Sequence, residues 1–186
     1  MRHKYSTEAL VLARTPLSEA GMLVTLLTPE LGLIRARAEG VRKPGAKLAH
    51  ALQTLNDCEV MLVRGKEGWR LTGALLVANR FNELSRASRL RIARVTGLLL
   101  RLVHGETLDP ALYTHLRGFL YALPELTDEQ QDAAESLVAL RLLSVLGSDA
   151  GVMPPEGYGI EALERAILER KDFIVRINRG ITASGL

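Results

Sequence analysis

Strand-like alternation punctuated by glycine turns over the first 80 residues, and a change to helical periodicity from Asn82 onward, predict an α+β protein. The expected architecture is an N-terminal five-stranded β-barrel of the OB type over residues 1–80, followed by an α-helical domain over residues 81–186. Closure into a barrel lets so small a sheet avoid exposed edges. A chain of 186 residues, 47% hydrophobic, can bury a core in each of two such domains.

The first two strands are expected at Glu8–Arg14 and Met22–Thr28, runs rich in Val, Leu and Thr. Pro16, Ser18 and Gly21 mark the loop between them, and Thr28-Pro29-Glu30-Leu31-Gly32 marks the next turn. Leu33–Ala38 then alternates, with Ile34, Ala36 and Ala38 on one face and Arg35 and Arg37 on the other. After a loop come Glu59–Arg64, the turn Gly65-Lys66-Glu67-Gly68, and a last strand at Trp69–Val77.

In the second half, Leu84–His104 places Leu84, Val95, Leu98, Leu99 and Leu102 on one side of a helix. Arg86, Arg89, Arg91, Arg94 and Arg101 lie on the other. Asp109 caps a helix over Asp109–Leu123 whose first position is Pro110. Thr127-Asp128-Glu129-Gln130 forms a capping box for a helix that runs to about Leu146 and stops at Gly147. Being apolar on most sides, that helix is expected at the centre of the bundle. Ser148–Gly159, rich in Pro and Gly, reads as a linker. One final helix is expected over Ile160–Arg179, with Ile160, Leu163, Ile167, Ile174 and Ile177 as its inner stripe.

The sequence argues against several chemistries. It has no glycine-rich phosphate loop and no nucleophile-elbow serine. His3, His50, His104 and His115 are scattered among unlike elements, and the single cysteine, Cys58, permits neither an internal disulfide nor a Cys-rich zinc site. The expectation is therefore a protein that is not an enzyme and carries no metal or cofactor. No apolar run reaches a membrane span, and the start lacks the apolar core of a secretory signal, so the expected compartment is the cytoplasm.

What remains is charge. The net value of +3 conceals an asymmetry: residues 1–80 hold 12 Lys and Arg against 7 acids, whereas residues 81–186 hold 12 against 14. The excess concentrates at Arg35, Arg37, Arg42, Lys43 and Lys47, on the alternating strand and the loop after it. Such a cluster suits phosphate backbones of single or double strands, with little sequence preference, in preference to the alternative of a merely solvated face. Trp69 beside Arg70 has two readings as well, stacking on a base or packing over the barrel end. The arginine face over residues 86–101 would extend a DNA track, receive an acidic protein tail, or be an ordinary helix surface.

An ordered series of segments carries a resemblance. It comprises Glu8-Ala9-Leu10-Val11-Leu12, Leu17-Ser18-Glu19, Leu23–Gly32, and Gly40-Val41-Arg42-Lys43-Pro44 with Lys47-Leu48. Less specific segments follow at Leu99-Leu100-Arg101-Leu102, Asp109-Pro110, Leu140–Gly147, Ile177-Asn178-Arg179 and Ser184-Gly185-Leu186. In these the sequence resembles the RecO family of bacterial recombination mediators. The resemblance implies a barrel that binds single- and double-stranded DNA and anneals complementary strands. It also implies work with RecR to load RecA onto DNA coated by single-strand-binding protein (SSB), whose acidic-hydrophobic C-terminal tail docks on the helical domain. The sequence departs from the family pattern where many members insert a four-cysteine zinc module; Ser148–Gly159 stands there instead. Two other readings stay open: an adaptor whose helices carry the main role while the barrel docks onto RecR, and an unrelated OB protein that binds RNA.

Overall fold

The structure, a computed structural model, describes residues 3–41, 47–106 and 108–186, and for Lys47 the backbone alone. Five strands, β1 (Lys4–Pro16), β2 (Met22–Thr28), β3 (Gly32–Ala38), β4 (Asn56–Gly65) and β5 (Gly68–Asn79), close into a barrel in the order β1-β2-β3-β5-β4. The five-stranded N-terminal barrel followed by helices is the expected fold class. Strand β2 has the expected bounds, and the others are longer than hydrophobicity alone indicates. β1, for example, begins at the polar Lys4 because its ladder to β4 continues through Lys4↔Val63. All neighbouring pairs are antiparallel except β3 with β5, which meet in parallel over three residue pairs.

Alternation fills the barrel. Ala9, Val11, Val24, Leu26, Ile34, Ala36, Ala38, Val60, Leu62, Trp69 and Leu71 belong to one buried cluster, while Arg35, Arg37 and Arg70 between them are exposed. The stretch expected to be a loop before β4 contains a short helix, α1 (Lys47–Ala51), with Ala51 and Leu52 buried in the same cluster. Five residues are too few for a helical period to register in the sequence.

The chain divides into two compact units. The first holds the residues up to Asn82 together with Gly105–Tyr113; the second holds Glu83–His104 and Thr114–Leu186. In the second unit lie α2 (Arg86–Leu102), most of α3 (Pro110–Ala122), α4 (Asp128–Val145), α5 (Ile160–Leu168) and α6 (Arg170–Ala183). The expected caps form. Asp109 accepts from the Ala111 amide at 2.9 Å, and Thr127 and Gln130 make a reciprocal capping box. Gly147, at φ +74°, ends α4 as the Ser148 amide bonds back to the Leu143 carbonyl at 2.8 Å.

Helix α4 packs against α2, α5 and α6, and ten of its residues between Gln131 and Leu143 are buried. One of them is Arg141, whose guanidinium donates to the carbonyls of Pro155 (2.5 Å) and Gly157 (2.7 Å). Residues 148–159 are irregular, but two arginines fasten them. Arg176 pairs with Asp149 at 2.6 Å and donates to the Val152 carbonyl at 3.1 Å.

The single final helix expected over 160–179 is instead two helices that meet at Glu169. The buried face also differs from the expected isoleucine stripe. Ala162, Leu163, Ala166, Phe173 and Gly180 are buried, whereas Ile160 and Ile174, expected inside, are exposed. Gly180 allows the close approach, since a Cβ there would lie 3.1 Å from both Leu143 Cδ1 and the Ser148 carbonyl. An isoleucine repeat does not reveal that a glycine marks the contact line. Among the described residues, no helix is long and apolar enough to cross a membrane.

Candidate nucleic-acid interface

Parallel pairing of β3 with β5 sets Arg37 directly beside Arg70 on the outer surface of the barrel. Both side chains point outward for one reason: their strand neighbours Ala36, Ala38, Trp69 and Leu71 occupy the core. The β4–β5 hairpin brings two more cations. Its turn, Gly65-Lys66-Glu67-Gly68, is closed by pairing of Gly65 with Gly68, and φ of +102° at Gly68 suits only glycine. Arg64 and Lys66 thereby join Arg37 and Arg70 along a groove of about 950 Å³, which Glu39, Glu67 and Trp69 also line. Arg35 faces outward two residues from Arg37, opposite Thr25 of β2, and is not part of the groove lining.

Glu39 aside, two acids pair directly with groove residues. Glu67 pairs with Arg37 at 2.7 Å, with both side chains well exposed, so the pair is weak and exchangeable. Glu106, from the Gly105–Tyr113 segment of the same unit, accepts from Arg64 through both carboxylate oxygens and from Trp69 Nε1 at 2.9 Å. The Arg64 hydrogen bond holds the Glu106 carboxyl below the usual carboxylate range, and Trp69 adds to the effect.

Trp69 is 7% exposed, with Tyr5 edge-on at 5.1 Å and the Arg64 guanidinium 4.8 Å above its ring. Of the two readings of this residue, packing over the barrel end describes the geometry. Cys58 is buried, and its thiol donates to the Ala51 carbonyl at 2.9 Å. Burial, with Asp57 adding, pushes the thiol pKa up to about 12, which leaves almost no thiolate at neutral pH. Among the described residues, no group of three or more His, Cys, Asp or Glu is arranged to hold a metal ion.

The barrel that carries this groove matches the family described as Recombination protein O N terminal, over residues 1–80. Over those residues the chain carries a barrel of the RecO N-terminal type. It is 31% identical over 146 residues to the DNA repair protein RecO of Dehalococcoides mccartyi, covering 78% of this chain and 57% of that protein. The RecO of Myxococcus xanthus is 32% identical over 155 residues, 81% of this chain and 60% of the relative. That of Synechococcus elongatus reaches 50% over 60 residues, 31% of this chain and 23% of the relative. The chain thus spans about three fifths of the first two relatives.

The other expected site residues of this RecO barrel and its helices fall in different places. Arg42 and Lys43 lie outside the described residues, and Lys47 opens α1. Arg86, Arg89, Arg94 and Arg101 all belong to α2, in the helical unit. There the supposed basic face is partly neutralised. Arg94 makes a two-pronged pair with Glu135 at 2.6 Å, and Arg91 pairs with Asp132 at 2.7 Å. Sequence reasoning does not single out Arg64 and Lys66. The signal for them is a cation on either side of Gly65, in a hairpin whose return strand carries Arg70.

Proposed function

We propose that this chain is a DNA-binding mediator of recombinational repair that performs no covalent chemistry itself. The observation that carries the reading is the pairing of Arg37 with Arg70 on a closed barrel matched along its length by the RecO N-terminal family. In this reading Arg35, Arg37 and Arg70, with Arg42, Lys43 and Lys47 of the following segment, bind phosphates of single- and double-stranded DNA. Neutralising phosphates on two strands at once lowers their mutual repulsion, which is the physical basis for annealing complementary strands. With RecR, the protein helps load RecA onto SSB-coated DNA in the cytoplasm. The helical unit receives the SSB tail, for which Arg86, Arg89 and Arg101 on α2 supply positive charge.

The test is a titration of a labelled single strand with wild type and with Arg37→Ala/Arg70→Ala. The expected result is weaker binding by the variant, with DNA and RNA of one sequence bound alike by wild type. A marked preference for RNA would favour the RNA-binding alternative. The adaptor reading draws on a different observation. Met61, Leu75 and Val77 are exposed on β4 and β5, an apolar outer strip suited to a protein partner.

A further inference from the structure

Glu106 holds a position that an incoming phosphate would want. Three hydrogen bonds converge on its carboxylate: Arg64 Nη1 to each oxygen, at 2.5 and 2.7 Å, and the Trp69 indole N–H at 2.9 Å. Charge-assisted donors aimed at two oxygens of one planar anion also suit the two non-bridging oxygens of a phosphodiester. The site opens on the cationic groove, since Arg64 and Trp69 line it together with Arg37, Lys66 and Arg70. The side chains of Arg64 and Glu106 are 46% and 45% exposed, so exchanging one anion for another costs little desolvation.

We propose that Arg64 and the Trp69 indole N–H form a phosphodiester subsite at one end of the groove, and that Glu106 occupies it in the free protein as a built-in competitor. This rests on the DNA-binding reading above and extends it. A strand entering the groove displaces the Glu106 carboxylate, and Arg64 turns from an internal partner to the backbone. The device weakens binding to isolated stretches of strand while leaving the subsite preformed. Glu67 on Arg37 is a looser version of the same arrangement, with one hydrogen bond in place of three.

The experiment compares wild type, Glu106→Gln, Arg64→Ala and the double variant in fluorescence-anisotropy titrations with a labelled oligothymidylate at several salt concentrations. Glu106→Gln keeps the side-chain shape and removes the charge. The expected result is binding about two- to fivefold tighter than wild type, from removal of one exposed ion pair. The log–log salt slope should steepen by roughly 0.7, for one more phosphate neutralised. In the Arg64→Ala background the Glu106→Gln gain should vanish. A parallel readout is the emission of Trp69, the protein's single tryptophan, which should respond more strongly to the oligonucleotide in Glu106→Gln than in wild type. Equal affinities and slopes for wild type and Glu106→Gln would overturn the subsite and leave the DNA-binding reading intact. A gain that persists without Arg64 would also overturn it, because Glu106 would then act as a general charge. Absence of binding by every protein would overturn both.

Discussion

Single side chains of the barrel divide into those aimed at solvent and those sealed in the core, and the division has chemical consequences. Cys58 is the clearest sealed case. With its pKa pushed up to about 12 and its thiol bonded to the Ala51 carbonyl, it should resist a thiol reagent in the native protein at pH 7–8 and react fully after denaturation. Rapid labelling of the folded protein would contradict that. Arg35 and Arg37 are legible in the sequence because strand alternation leaves no other place for them. The Arg64–Glu106 pair is not, since its partners lie 42 residues apart and belong to no shared pattern. The basic face of α2 is easily over-read for a similar reason. A helical wheel shows Arg91 and Arg94 together but not the Asp132 and Glu135 that meet them from α4.

Elements whose ends carry local signals match expectation, and those shaped by packing do not. The Thr127–Gln130 capping box is local, so α4 starts where the sequence indicates. Thr127→Ala should cost about 1 kcal/mol in thermal or urea unfolding. The break at Glu169 carries no such local signal, and beyond it Gly180 lies close against Leu143 of α4. The segment before α5 depends on distant arginines, and this gives a pH signature. Arg176 hydrogen-bonds the Asp149 carboxyl and holds it below the usual carboxylate range. Because the folded value is the lower one, the pair contributes fully above the unfolded value of about 4. The contribution fades as pH falls through the folded value. Asp149→Asn should therefore cost about 1–3 kcal/mol at pH 7. Its stability should converge with that of wild type on acidification; a gap independent of pH would contradict the ion pair as its cause.

At the scale of the whole molecule, the function proposed for the chain rests on how the barrel closes. Three parallel residue pairs join β3 to β5, and that seam sets Arg37 against Arg70 and leads to the hairpin cations Arg64 and Lys66. Net charge alone, at +3, suggests nothing of the kind. The half-by-half charge count points to the barrel, but only the closure order brings Arg37 and Arg70 into one register. The measurement that tests this most directly is the salt dependence of single-strand binding by wild type and by Arg37→Ala/Arg70→Ala. If both arginines neutralise phosphates, the log–log slope of the variant should be shallower by roughly 1.4, about 0.7 per arginine removed. An unchanged slope, with the variant still folded, would mean that the seam is not where DNA binds.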